Sequence, residues 1–170
     1  MKTFFPILFI FLPLIANCKN EPQEVQEIRK IYQEAIKNAE TTKTKIKADA
    51  DYIGFEGQEL KTRGRWEEKI NTAFFFKEIE PDIYKLSLIK KSQTGNPFPS
   101  YYYEFLFNEE EELLFAFQKE TNYEKDELRC YWSKGELIYQ KSTKSSTEDC
   151  QQLKEQAVKL KNAAEVLMEN

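Results

Sequence analysis

Apolar or small residues recur at three- and four-residue intervals at Val25, Ile28, Tyr32, Ala35, Ala39 and Ile46, with Thr42 in the one gap. This spacing draws a single stripe and predicts a helix over residues 23–47. Pro22 suits its first turn, where a missing N–H costs nothing. Lys43, Lys45 and Lys47 gather at its end, where the helix dipole favours positive charge, and read as a solvated terminus. Cys150, Leu153, Ala157, Leu160, Ala164 and Leu167 repeat the same spacing and predict a second helix over 148–168. Ser146, Thr147, Glu148 and Asp149 supply its caps and early acids. The small alanines in both stripes suit packing on a sheet.

Between the helices the period shortens to two. Tyr84, Leu86 and Leu88 alternate with Lys85 and Ser87, as in a half-buried strand. Strands are expected over 70–76, 83–89, 101–107, 113–117, 128–133 and 136–140, with a weak, polar edge near 60–66. Gly95 to Pro99 is a loop, since prolines cannot donate to a ladder. One hairpin turns across Asn108 and the acidic run Glu109–Glu112, and another across Lys134-Gly135, where glycine supplies a positive φ. The predicted fold is α+β: an N-terminal helix, an antiparallel meander of about 5–6 strands and a C-terminal helix, with both helices on one face of the sheet.

The two-residue turn sets the register of the second hairpin. Strict alternation then sends Leu128, Cys130, Trp132, Leu137 and Tyr139 toward the helices. Arg129, Tyr131, Ile138 and Gln140 point the other way. Arg129, Tyr131 and Ile138 are therefore the candidate interaction face, since exposed Tyr and Arg are common binding anchors. The alternative is that this face closes into a second small core.

Composition narrows the function classes. The 170 residues fit one domain, and a formal net charge of −4 is unlike a basic nucleic-acid binder, so no nucleic-acid partner is expected. The chain has no histidine, which removes Ser-His-Asp and Cys-His hydrolysis and His-containing zinc sites. The five glycines stand singly, so no phosphate loop is present. Glu109–Glu112 lacks the alternating ligands and the glycine of a calcium loop and reads as a solvated turn. Tyr101, Tyr102 and Tyr103 read as core positions on a strand. No metal, cofactor or catalytic residues are expected.

The first residues are an address. Met1-Lys2-Thr3 is a short basic start, followed by an apolar run from Phe4 to Ile15 broken by Pro6 and Pro13. That run is too short for a spanning helix, which needs roughly 20 residues, and fits the core of a secretory signal. Leu14-Ile15-Ala16-Asn17-Cys18 resembles a bacterial lipobox. The common box has Gly, Ala or Ser before the cysteine; Asn17 resembles the relaxed boxes of spirochaete lipoproteins. The resemblance covers about the first twenty residues and implies cleavage before Cys18, lipidation of Cys18 and a place in the cell envelope, at an inner or outer membrane. Residues 1–17 are then the signal peptide, 18–22 a lipidated tether and 23–170 a single domain. Removing residues 1–17 takes away Lys2 and no acid, so the net charge moves from −4 to −5. Membrane attachment thus rests on the lipid, not on surface charge.

Export also bears on the remaining cysteines, because disulfides persist outside the cytoplasm. With Cys18 consumed by lipid, Cys130 and Cys150 form the expected pair. Cys150 lies on the apolar stripe of the C-terminal helix, and Cys130 on the strand face that meets it. The reading is a non-catalytic, membrane-anchored envelope lipoprotein that binds or scaffolds an envelope or host protein. Alternatives are an inhibitor of a periplasmic or host hydrolase and a carrier of a small apolar ligand; the carrier needs a cavity of several hundred cubic ångströms.

Overall fold

The computed structural model describes residues 21–44, 52–63, 66–95, 99–121, 126–143 and 149–168. The signal segment, the lipobox and Cys18 lie outside them. The first stripe becomes helix α1 (Gln23–Thr44). It opens where Val25 N donates to Pro22 O at 3.0 Å. The second becomes helix α2 (Cys150–Met168). Asp149 caps it: its Oδ1 accepts from Gln151 N at 3.1 Å, satisfying a donor that has no partner inside the helix.

Between them run β1 (Tyr52–Arg63), β2 (Trp66–Glu80), β3 (Ile83–Gly95), β4 (Tyr101–Phe107), β5 (Leu113–Glu120), β6 (Glu127–Ser133) and β7 (Glu136–Ser142). All pair antiparallel with their sequence neighbours, in the order β1 to β7. The α+β class, the meander and the two terminal helices are as the patterning predicts. The strand count is seven, because residues 60–66 are not one weak strand. Residues 60–63 end β1 and Trp66 begins β2, with Arg63 paired to Trp66. β1 hides from periodicity because Gly54, Glu56, Gly57, Gln58 and Glu59 break any apolar alternation.

The helices lie on opposite faces of the sheet, not on one. Phe74, Phe76, Tyr103, Phe105, Cys130 and Trp132 share a core with Cys150, Leu153, Ala157 and Ala164 of α2. Their strand neighbours Ala73, Phe75, Leu106 and Tyr131 share another with Val25, Ile28, Ala35 and Ala39 of α1. Successive side chains on a strand point to opposite faces, so the two cores are separated by the sheet. A sheet buried on both sides needs apolar residues in unbroken runs, and Ala73–Phe76 and Phe105–Phe107 supply them. The same fact decides the fate of Tyr131. It is 2% exposed and lies under α1, so at Tyr131 the candidate interaction face closes as a second core, while Arg129 beside it stays half-exposed.

The β6–β7 hairpin holds a further correction. Lys134 and Gly135 both have positive φ, as the tight turn demands. Ser133 pairs with Glu136 and Trp132 with Leu137, but Tyr131 then pairs with Tyr139 and Cys130 with Gln140. Ile138 is the extra residue of a β-bulge, which reverses the faces of everything beyond it. Tyr139 therefore joins the α1 side. Gln140 joins the α2 side, where its Oε1 lies 3.6 Å from Cys150 Sγ.

A candidate binding cleft beside helix α1

Helix α1 buries Val25, Ile28, Ala35 and Ala39 against the sheet and leaves an open flank. A cleft of about 190 Å³ lies along that flank. Arg29, Tyr32 and Gln33 form its helical wall, and Phe115, Phe117, Arg129 and Tyr131 form its floor on β5 and β6. The strand register makes the floor contiguous. Phe115 pairs with Tyr131, and Phe117 with Arg129, so the four stand on one face in two adjacent rows.

The aromatic floor is tightly coupled. The Phe115 ring lies 4.9 Å from that of Tyr131 and 5.0 Å from that of Tyr32, which meets it edge-on. Each guanidinium lies over a ring, an arrangement that the ring's negative face favours. Arg29 stands 5.7 Å from the Tyr131 centroid and Arg129 5.2 Å from the Phe117 centroid. Arg29 Nε donates to the Tyr131 hydroxyl at 3.3 Å. Its two terminal nitrogens donate to Glu21 at 2.7 and 2.6 Å. The bond to Tyr131 holds the Arg29 pKa above its ordinary value, against the opposing effect of burial. Arg129 donates to Glu127 at 2.8 Å.

Behind this floor sits Glu104 of β4, which is 5% exposed. It accepts hydrogen bonds from the Tyr32 hydroxyl on α1 and, at 2.6 Å, from the Tyr102 hydroxyl. A buried carboxylate is tolerable only when so partnered. Burial first, and then the bonds to Glu104, push both phenol pKa values well above the ordinary range. Both hydroxyls thus stay protonated donors. The remaining buried carboxylates lie elsewhere: Glu68 on β2 accepts from Gln93, and Glu120 lies on β5.

A second groove of about 310 Å³ runs along the other flank of α1, past Ile31, Glu34 and Ala35 toward Lys77, Lys85 and Phe107. Charged side chains line much of it, and the Lys77–Glu109 ion pair at 3.2 Å lies at its rim. Ile31, Ile79, Leu86 and Phe107 share its walls, so an apolar ligand there would meet charged groups along its length.

Of the residues singled out from sequence, Arg129 and Tyr131 come together in the cleft, while Ile138 packs at the edge of the α1 core. The sequence pattern marks Tyr32 only as a stripe position of α1 and does not single out Arg29, Gln33, Phe115 or Phe117 as site residues. Arg29 and Gln33 flank the α1 stripe at four-residue spacing, but that signal is legible only once α1 is known to cover this face. Cys130 and Cys150 form a disulfide with Cα atoms 5.8 Å apart, inside the usual 4.4–6.8 Å window. The acidic run is more than a solvated turn. Glu111 has positive φ, accepts from Leu86 N at 3.3 Å and pairs with Lys161 of α2 at 3.6 Å, tying turn, sheet and helix together. Tyr103 is core, as expected, whereas Tyr102 holds Glu104.

Among the described residues no group of carboxylates or cysteines is poised to hold a metal ion, and no helix is long and apolar enough to cross a membrane. The chain matches no known family, no curated protein and no solved structure.

Proposed function

We propose that this protein is a non-catalytic, membrane-anchored envelope lipoprotein whose domain binds a partner protein through the cleft beside α1. The lipobox-like Leu14–Cys18 segment supports the anchor. The observation that carries the binding role is the cleft's lining: two arginines, two tyrosines, two phenylalanines and a glutamine around about 190 Å³. Arg and Tyr are the residues that most often anchor interfaces. The volume is below the roughly 300–1,000 Å³ of small-molecule pockets and suits one anchoring side chain. The lipid would keep the site close to the membrane, because only Lys19 to Pro22 separate Cys18 from α1, about 14 Å at full extension.

The two halves are tested separately. Intact mass of the processed protein should show acylation at Cys18, and Cys18→Ala should leave the chain unprocessed or released. Gln33→Trp places an indole in the cleft from an exposed helix position. It should remain membrane-bound but fail to form the higher-mass partner complex that the unsubstituted protein is expected to show on native gels. Val158→Trp, on the exposed face of α2, should keep it. A complex indifferent to Gln33→Trp contradicts the binding role.

A further inference from the structure

The cleft's chemistry narrows what it accepts, an inference that rests on reading the cleft as the binding site. Its lining holds two guanidinium groups, and the carboxylates that pair them, Glu21 on Arg29 and Glu127 on Arg129, stand outside that lining. The floor between them is aromatic, so a ligand must offer an apolar group below and negative charge at the rim.

The chain carries an internal example of that charge. Glu21 sits on the Arg29 guanidinium with two near-parallel bonds of 2.6 and 2.7 Å. This paired geometry is specific to a planar carboxylate or a similar oxyanion. The pair is not sealed in the core: the Arg29 and Glu21 side chains retain 40% and 22% of their exposure. A partly hydrated ion pair exchanges partners readily, because its net strength in water is small. Glu21 precedes α1 and reaches Arg29 eight residues along the chain. It is held by this contact and can leave without unwinding the helix.

We propose that the cleft binds an aromatic or aliphatic group bearing a free carboxylate, and that this carboxylate replaces Glu21 on Arg29. The ligand's apolar group lies beside the part-exposed Phe117 ring next to Arg129, and its carboxylate meets the Arg29 guanidinium. The last residue of a peptide with an apolar side chain has this chemistry, and so does a free N-acylated amino acid. Displacement of Glu21 also frees the segment that joins the domain to Cys18, so ligand binding loosens the tether.

The test uses the full-length protein, as its host processes it, in phosphatidylcholine nanodiscs. The probes are N-acetylphenylalanine, its methyl amide and a pentapeptide ending in phenylalanine, titrated by saturation-transfer NMR. The acid should bind at least tenfold more tightly than the amide. Glu21→Gln, which removes the internal competitor, should tighten the acid at least threefold and leave the amide unchanged. Arg29→Lys keeps the charge but not the fork, and should erase the acid's advantage. Equal affinity for acid and peptide assigns the site to the terminal residue alone, and tighter peptide binding assigns it to a chain terminus; either supports the exchange. Acid and amide binding equally, with Glu21→Gln without effect, overturns the exchange and leaves the cleft as the binding site. If no probe binds and the partner complex also survives Gln33→Trp, the cleft reading falls with it.

Discussion

The Tyr32 hydroxyl on α1 donates to the Glu104 carboxylate on β4, across a part-buried contact between residues 72 apart in sequence. This bond does for α1 what the disulfide does for α2: it fixes one position of a helix on the sheet. Tyr32→Phe should leave Glu104 with the Tyr102 donor alone and destabilise the domain by about 1–3 kcal/mol, the cost of under-satisfying a buried charged acceptor. Chemical denaturation measures it. Because Tyr32 and Tyr102 share one acceptor, the Tyr32→Phe/Tyr102→Phe double variant should depart from the sum of the two single effects.

The raised phenol pKa values of Tyr32 and Tyr102 give a sign to the alkaline behaviour. The unfolded chain begins to lose these protons near the ordinary value of 10, while the folded state still holds them. Stability from this source is therefore complete below pH 10 and falls as pH rises beyond it. Each group adds a slope of at most about 1.4 kcal/mol per pH unit. Urea midpoints between pH 8 and 11 should drop above pH 10, and less steeply in the double phenylalanine variant. An equal slope in both proteins would contradict the assignment.

The Cys130–Cys150 bond closes a loop with a sequence separation of 20, containing the β6–β7 hairpin and the start of α2. Chain entropy alone assigns it about 3 kcal/mol. Replacing both cysteines with alanine should lower stability by about that amount while α1 stays docked. Reduced and oxidised protein compared in denaturant gradients, with free-thiol labelling as the control, checks it.

Lys134 takes a positive φ of 50° beside Gly135 at 77°. An L-residue with a long side chain is disfavoured there, whereas Asn-Gly is the preferred pair for such a turn. Lys134→Asn should raise stability by up to about 1 kcal/mol, read as a higher thermal midpoint. No change would mean that the strain is relieved elsewhere in the hairpin.

The elements were legible in the sequence wherever burial imposed a period. Val25, Ile28 and Ala35 announce α1, and Cys150, Leu153 and Ala157 announce α2. The two cysteines were legible as a pair because strand phase and helix stripe converge on them. Three things were not. A stripe says that a helix is buried on one side but not on which face of a sheet, so the stripe of α1 does not tell that it packs opposite α2. A β-bulge leaves no mark in the alternation of Leu137, Ile138 and Tyr139, and the faces of Tyr139 and Gln140 were reversed by it. The cleft follows from the first, since it needs α1 over Tyr131; Arg129 and Tyr131 stand on the face that the turn register gives them, with Tyr131 buried and Arg129 half-exposed.

The binding role rests on the flank of α1 beside Gln33. The most direct measurement is site-specific photo-crosslinking in intact cells, with a photoreactive side chain at Gln33 or at Val158. A discrete adduct is expected from Gln33 alone, with the partner's contact peptide joined to a fragment carrying α1. An adduct pattern at Gln33 no different from that at Val158 would contradict it.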